Sequence, residues 1–284
     1  MDIKILVAYH KPSVILSSDM YLPIHVGRTN SQNVIRGIIG DDTGDNISYK
    51  NSIYCEMTAI YWAWKNIKAD YIGLCHYRRI FTYRPLCGSW RYLKRYLVYL
   101  KSKVVNFYMP GNNLMLMPIF QVGDSVEYER IASEFEKETL NSLNKSRIDA
   151  IVPCPVRFST ICVRQFFDIG LEPRLLMDDI VRDIAPEFFP YYEAAQKSNF
   201  LFAANMFVMK RELFDDYCST IFPLLEEHEK RTINSGWCND LLKERCYSRR
   251  SGYFAEFLTS AYIFKMIREK KKLKYANVAF LDLK

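Results

Sequence analysis

The sequence predicts an α/β fold in which a mostly parallel central sheet is flanked by helices. Two short apolar runs, residues 3–9 and 71–75, have the length expected of strands that are covered on both faces. Between them, residues 51–65 carry apolar side chains at three- and four-residue steps, which is typical of a buried helix. A strand, a helix and a second strand in this order predict a parallel pair joined by a crossover.

The first third of the chain contains three further features. Residues 21–26 form a weaker strand, at an edge or irregular, because Pro23 lies inside it. Residues 40–48 make an acidic, turn-rich loop directly before the central helix. Asn51 or Ser52 is available to cap the first turn of that helix.

The remainder of the chain mixes helices with short strands. Helices are predicted for residues 90–108, 127–143, 171–184, 212–228 and 254–267, and a short strand for residues 150–153, while residues 200–209 form an apolar run that Asn205 splits. Pro223 interrupts the fourth of these helices, and a basic tail begins at about residue 268. The length allows one large or two small domains, of which we favour a single domain of residues 1–284, and the absence of an internal repeat argues against repeat architectures.

Composition indicates a globular protein with an anionic partner. The 284 residues are 49% hydrophobic and 25% charged, enough for a full core. The formal charge of +7 suits a nucleotide, a phospholipid surface or a nucleic acid. The eight cysteines show no CxxC pair and no metal-ligand spacing, so we expect reduced thiols in a cytoplasmic protein. Neither a leader peptide nor a membrane span of roughly 20 apolar residues is recognisable.

A polar cluster follows the second predicted strand without a break: His76, Tyr77, Arg78 and Arg79. In open α/β sheets, ligands bind at the carboxyl ends of the strands. Guanidinium groups suit phosphate because each offers paired donors and stays charged. The alternative is that both arginines pair with carboxylates or point to water.

The end of the first strand adds Tyr9, His10 and Lys11 to the same edge. These side chains can therefore face the crevice that the second strand borders. For His10, an exposed loop position is the alternative.

Four more residues are candidates on chemical grounds. Asp42 and Asp45, in the acidic loop, can bind a divalent cation or a sugar hydroxyl, although most such loops only hydrogen-bond their own backbone. Asn205 interrupts an apolar run and needs a partner for its amide, which a sugar hydroxyl or a backbone bulge would supply. Glu256, in the first turn of a predicted helix, can act as a general base or pair with a neighbouring arginine.

These residues carry a resemblance to a known family. Residues 45–48, 51–66 and 71–79, the last reading YIGLCHYRR, are similar to the signature of a bacterial capsular and exopolysaccharide glycosyltransferase family, long catalogued as a domain of unknown function. The similarity resumes at residues 205–210 and 250–258 and so covers nearly the whole chain. It adds Asn46, Arg250 and Gly252 to the candidate substrate-binding residues. Phe257 stands where the family usually has arginine.

The resemblance implies a GT-A-like fold and a substrate class. The implied reaction moves a hexose, galactofuranose or galactose, from a UDP-sugar to a growing capsular, O-antigen or exopolysaccharide oligosaccharide. The implied acceptor is a lipid-linked oligosaccharide at the cytoplasmic face of the membrane, where the protein would be peripherally associated.

A mechanism follows from combining the resemblance with the polar edge. We expect Tyr9 and His10 to bind uracil and ribose, and Arg78 and Arg79 to bind the diphosphate. Glu256 is the expected catalytic base, with His76 and Asp42 in reserve.

No obligatory metal is expected for this reaction. The chain has no Asp-x-Asp pair, which holds a metal in many nucleotide-sugar transferases, and fixed guanidinium groups can neutralise the leaving diphosphate instead. A Mg²⁺ or Mn²⁺ requirement is the less favoured alternative.

Non-catalytic functions are the competing interpretation. The charge and the basic, aromatic segment 90–108 also fit an anionic-polymer binder or a membrane-associated scaffold of polysaccharide assembly. Nucleic acid is not the expected partner, because the basic residues are dispersed and no known nucleic-acid-binding motif occurs.

Overall fold

The structure is a computed structural model that describes residues 1–86, 93–94, 96–101, 115–158, 171–234 and 249–282. Its strands are β1 (Ile3–Tyr9), β2 (Tyr21–His25), β3 (Ile39–Gly40), β4 (Tyr71–His76), β5 (Arg79–Thr82), β6 (Met115–Leu116), β7 (Ile119–Val122), β8 (Ala150–Pro153), β9 (Val156–Phe158), β10 (Phe200–Leu201), β11 (Phe207–Lys210) and β12 (Leu273–Leu281). Its helices are α1 (Asn51–Tyr54), α2 (Met57–Asn66), α3 (Ser125–Lys145), α4 (Leu171–Ile184), α5 (Phe189–Lys197), α6 (Arg211–Asn234) and α7 (Arg250–Arg268). Alternation of helices and strands makes this an α/β fold.

Nine of the described strands form one mixed sheet in the order β11-β8-β12-β5-β4-β1-β2-β3, with β7 also paired to β12. Parallel pairing links β1 to both β2 and β4, and links β12 to both β7 and β8. β5 and β11 run opposite to their neighbours. β2 is not an edge strand, because β3 pairs with its outer side despite Pro23.

The sheet opens where the neighbours of two strands change. β4 pairs with β11 along residues 71–74 but meets β5 at His76, where His76 lies opposite Arg79. β12 pairs with β8 along residues 273–276 and with β5 along residues 277–280. At one end of the sheet β11 and β8 lie between β4 and β12, and at the other end β5 lies between them. The sheet is interrupted where this set of strands changes.

The two faces of the sheet bury separate cores. On one face, Leu6, Ile72 and Leu74 pack with the apolar sides of α2, α6 and α7. On the other face, Ile5, Val7 and Cys75 pack with α3. Alternate residues of β4 therefore face opposite cores, and His76 lies on the α2 and α7 side.

The predicted helix 51–65 is broken in two at Cys55, which has φ 52° and ψ −133°. Neither Asn51 nor Ser52 caps it, since Lys50 is the N-cap residue and makes no side-chain cap bond. Asn51 Nδ2 instead donates to the Cys55 carbonyl at 2.7 Å and thereby supports the break. The apolar spacing predicted helix correctly on both sides but contained no signal for the kink.

The C-terminal segment also differs from the prediction. α7 begins at Arg250, so Arg250 and Gly252 are helical and Glu256 lies beyond the first turn. The residues after 268 do not form an appended tail, because β12 pairs with β5, β7 and β8 inside the sheet. α6 continues through Pro223 without interruption.

The predicted helix 90–108 is described only in part. Residues 93–94 and 96–101 are helical, and the rest of that range lies outside the described residues. Leu93, Leu97 and Leu100 are exposed on these residues, whereas Tyr99 is buried. Among the helices that the structure describes, none has both the length and the apolarity to cross a membrane.

Asp41 anchors the loop that precedes α1, and its replacement should destabilise the protein. The buried carboxylate accepts hydrogen bonds from Gly27 N (2.8 Å), Arg28 N (3.2 Å), Ser48 Oγ (2.5 Å) and Thr58 Oγ1 (2.6 Å). We expect Asp41→Ala to lower the free energy of unfolding by at least about 3 kcal/mol, because buried donors lose a charged acceptor. Urea titration of the variant measures this loss.

The exposed Asp45 of the same loop provides the control. Its carboxylate accepts one long bond, from Tyr61 Oη at 3.2 Å. Asp45→Ala should cost under about 1 kcal/mol. If the two variants lose the same free energy of unfolding, the hydrogen bonds to Asp41 contribute no more to stability than the single bond to Asp45.

Candidate active site

The candidate site lies at the carboxyl edge of the sheet, between β1 and β4. The chain leaves β1 toward β2 and β3 on one side, while β4 lies on the other side of β1, which makes this a topological switch point. The His10 ring meets the edge of the Tyr77 ring at 4.9 Å, and Lys11 Nζ lies 5.7 Å from the Tyr77 ring centre. The structure thus brings the predicted His10, Lys11 and Tyr77 together.

Arg78 and Arg79 have different polar partners. Residues 77–78 form the two-residue turn between β4 and β5. Arg78 donates from Nε to the Leu281 carbonyl at 2.7 Å and from Nη2 to Asp282 at 3.1 Å, so it is held at the end of β12. The Arg79 guanidinium makes no hydrogen bond or ion pair with any described residue and lines a cavity. Both guanidinium groups lie near the Phe280 ring, 4.7 and 5.7 Å from its centre.

That cavity occupies the interruption of the sheet and has a volume of about 230 Å³. Most of its wall is apolar, including Met117, Ile119, Val156, Phe158, Leu201 and Met206. Arg79 and Glu256 supply its two charged side chains. A cation and a carboxylate in an otherwise apolar wall are the expected features of a site that orients a polar ligand.

The turn at Ala204 and Asn205 joins the charged side chains of the site. Both residues adopt left-handed conformations, with φ 69° and 51°. His76 Nε2 donates to the Ala204 carbonyl at 2.6 Å, which assigns the hydrogen of the neutral ring to Nε2. Asn205 Nδ2 donates to Glu56 Oε1 at 2.8 Å.

The electrostatics of this cluster favour an uncharged Glu256 at low pH. Burial, followed by the negative charge of Glu56, raises the pKa of Glu256 to about 7, against the backbone of Ala204 and the charges of Arg79 and Arg249. A carboxyl with a pKa near neutrality can exchange protons under physiological conditions.

Both histidines of the site have a depressed pKa. Burial lowers the pKa of His76, and the positive charges of Arg79 and Arg249 add to the effect. Burial, followed by Lys11, lowers the pKa of His10. Neutral rings leave the arginines as the permanent cations of the site.

Three predicted substrate contacts have structural roles instead. Tyr9 is buried, and its hydroxyl donates to the Val14 carbonyl and accepts from Leu16 N, both at 2.9 Å. Asn205 is fully buried with its amide engaged by the protein. At Gly252, a Cβ would lie 2.8 Å from Cys55 Sγ, so this glycine permits α7 to approach the kink.

Arg250 and the acidic loop also lie away from the cavity. Arg250 is buried, and its charge contributes to the lowered pKa of His228 on α6. Asp42 lies 3.6 Å from Arg28, and Asp45 accepts from Tyr61. Asn46 hydrogen-bonds Gly44 O and Ser48 N, as the local-turn alternative anticipated.

Sequence reasoning missed Glu56 and Arg249. Arg249 Nε donates to Cys55 Sγ at 3.3 Å, which places the guanidinium beside the kink. Glu56 was hidden within a segment predicted to be continuous helix, although it is the only acidic residue there. The described ranges hold no group of three or more His, Cys, Asp and Glu side chains arranged to bind a metal ion.

Comparison with known proteins then places the chain. The family described as Domain of unknown function (DUF4422) matches residues 4–268. The chain belongs to this family. A search of curated proteins found no match.

A solved structure provides a structural relative of the chain. A solved structure described as the WbbM bifunctional glycosyltransferase, in its apo form, is 26% identical, with a TM-score of 0.71. The match covers 99% of this chain and 46% of that one, so the chain spans about half the length of its relative. The family is therefore related to glycosyltransferases.

Proposed function

We propose that the chain is a glycosyltransferase with a GT-A-like fold. It transfers a hexose, galactofuranose or galactose, from a UDP-sugar to a growing capsular, O-antigen or exopolysaccharide oligosaccharide. The single observation that carries the proposal is the likeness to the WbbM structure over 99% of this chain. The cavity lined by Arg79 and Glu256 supports it independently. Residues 1–284 act as one domain in this proposal.

His10, Lys11 and Tyr77 are the proposed binding surface for uracil and ribose. The Tyr77 ring offers a stacking face, and His10 and Lys11 offer donors beside it. Arg79, in the cavity wall, binds the diphosphate in this proposal. Arg78 supports the turn from outside the site.

Glu256 is the proposed base for the acceptor hydroxyl. Its position in the cavity wall and its pKa of about 7 suit proton transfer near neutral pH. His76, fixed to the Ala204 carbonyl, orients the turn beneath it. Asp42 is no longer a reserve base, because it lies against Arg28 in the distant loop.

The acceptor is proposed to be a lipid-linked oligosaccharide at the cytoplasmic face of the membrane. Leu93, Leu97 and Leu100 are exposed on the helical residues 93–94 and 96–101, next to the exposed Lys94 and Lys101. Exposed apolar side chains beside lysines are suited to peripheral association with an anionic bilayer.

Donor binding and metal dependence are tested together. We expect UDP, and the UDP-sugar donor, to raise the melting temperature more than GDP, CDP or TDP sugars do, because a ligand that binds only the native state stabilises it. UDP release in the presence of EDTA should stay within about 2-fold of the untreated rate, since a guanidinium takes the role of a metal.

Two outcomes would contradict these expectations. Complete loss of transfer under EDTA, restored by Mg²⁺ or Mn²⁺, would reject the metal-independent mechanism. Equal stabilisation by all four nucleotide classes, without UDP release from any donor, would reject the proposed function itself.

A further inference from the structure

A buried series of hydrogen bonds leads from the core to the candidate site. Tyr217 Oη and Thr259 Oγ1 are 2.7 Å apart, Thr259 Oγ1 donates to Asn205 Oδ1 at 2.8 Å, and Asn205 Nδ2 donates to Glu56 Oε1 at 2.8 Å. Tyr217, Thr259 and Asn205 are all fully buried. Since the Thr259 hydrogen points to Asn205, Tyr217 must donate to Thr259.

The series fixes which way the Asn205 amide points. A side-chain amide has one accepting and one donating end, and the two ends have nearly the same shape. The carboxylate of Glu56 only accepts hydrogen bonds, so it takes the NH₂ end, and the oxygen end accepts from the Thr259 hydroxyl. Without that hydroxyl, the buried oxygen end loses its donor, which weakens the hold of the amide on Glu56.

The backbone beneath this amide is strained and lies at the centre of the site. Non-glycine residues in the left-handed region are uncommon, and two in succession persist only where the surroundings hold them. Ala204 contacts His76 through its carbonyl and Glu256 through a backbone hydrogen bond, while Asn205 contacts Glu56. One turn thus positions three titratable side chains from separate parts of the fold.

Glu56 is the member of this group for which no role has yet been given. Its negative charge opposes ionisation of Glu256 and offsets the surrounding positive charges. Charged and titratable groups from four parts of the chain surround these two carboxyls and the neighbouring imidazoles. They are His10 and Lys11 after β1, Cys55 in the kink, His76 and Arg79 in the hairpin, and Arg249 before α7.

We propose that Tyr217, Thr259 and Asn205 are positioning residues that hold Glu56 as the second functional carboxylate of the site. They act on the reaction through Glu56 and do not touch substrate. Glu56 keeps Glu256 basic enough to accept the proton of the acceptor hydroxyl. This inference rests on the proposed transferase function and assigns a role to residues that it did not use.

The test combines a pH profile with a double-mutant cycle. Glu56→Gln removes the neighbouring charge, so the acidic limb of kcat/KM should move to lower pH by about one unit. Thr259→Val should move it in the same direction by less and lower kcat by about 10-fold. In the Glu56→Gln background, Thr259→Val should change kcat by less than about 2-fold, because the two changes act through one group.

Ser260→Ala is the matched control on the same helix. Ser260 is also fully buried and accepts a hydrogen bond from Phe202 N at 3.2 Å, outside the series. The Ser260→Ala variant should be less stable than the wild type but should have the same pH profile of kcat/KM. Tyr217→Phe is a second variant, with a smaller shift than Thr259→Val, should the latter fail to fold.

A readout without substrate separates this inference from the proposed function. Carbon-13 NMR titration of the glutamate carboxyls should show the Glu256 titration moving to lower pH in Glu56→Gln and in Thr259→Val. The proposal is overturned if Thr259→Val leaves both the pH profile of kcat/KM and the Glu256 titration unchanged. It is also overturned if the losses in kcat of the two single variants multiply in the double variant. If the titration moves but no UDP-sugar is turned over, Glu56 positioning stands and the transferase assignment fails.

Discussion

Glu256→Gln should lower kcat by about 10²–10⁴-fold and leave the KM for the donor within a few-fold. The amide keeps the size of the carboxyl but cannot accept the proton of the acceptor hydroxyl. Since Glu256 lines the cavity beside Arg79, the loss should appear in the chemical step. Initial rates of UDP release over a range of donor and acceptor concentrations measure both parameters.

The same variant should gain stability where it loses activity. Burial, and then Glu56, raise the pKa of Glu256 from its ordinary value of 4.5 to about 7. A carboxyl with a raised pKa favours the folded state at low pH, and this contribution is lost as pH rises through 7. Glu256→Gln should therefore melt a few degrees higher than the wild type at pH 8, with no gain below pH 4.5.

Glu269→Gln, just beyond the same helix, is the control for both measurements. The Glu269 carboxylate forms an ion pair with Lys271 at 3.8 Å and lies outside the lining of the cavity, so the variant should alter neither the rate nor the pH dependence. Wild-type activity in Glu256→Gln would exclude this residue as the base and leave His76 as the remaining candidate.

Arg79→Gln should reduce kcat/KM by about 10²–10³-fold, because one fixed positive charge at the leaving diphosphate is lost. UDP should also bind more weakly to the variant, as isothermal titration calorimetry would show. The adjacent Arg78→Gln removes the same charge from the same turn. It should leave kcat/KM within about 3-fold, since Arg78 is engaged with Leu281 and Asp282 outside the cavity.

This adjacent pair discriminates between local contact and net charge. Equal losses in the two variants would mean that the overall positive field drives binding. A larger loss in Arg78→Gln would mean that the diphosphate binds on the β12 side of the turn.

The strands β1, β4 and β8, and the proximity of His10 and Lys11 to Tyr77, were predictable, because short-range pattern determines them. The apolar runs at β1 and β8 predicted those strands with their observed bounds, and the run before His76 predicted β4 to within one residue. The carboxyl-edge rule then placed His10, Lys11 and Tyr77 together.

The different surroundings of Arg78, which binds the end of β12, and Arg79, which lines the cavity, were not predictable from the same pattern. They depend on β5 beginning at Arg79 and on the end of β12 lying beside Arg78. Both are contacts with a segment about 200 residues away, for which no local signal exists.

Glu56 and the turn at Ala204 illustrate the same limit. The bond from Asn205 to Glu56 spans 149 residues, and the left-handed turn occurs at two residues that are not glycine. The position of Asn205 in an apolar run predicts that its amide needs a hydrogen-bond partner. Which partner it had, a protein carboxylate and not a sugar, required the tertiary structure.

The position of β12 has a consequence for biosynthesis. Val278 lines the cavity, and the strand that carries it completes the sheet between β5 and β8. During translation, the N-terminal strands emerge long before this segment, so the nascent chain exposes an unfilled gap beside Arg79 until residue 281 has left the ribosome. The protein should thus complete this cavity in a late step, and chaperone occupancy during synthesis should persist until that strand inserts.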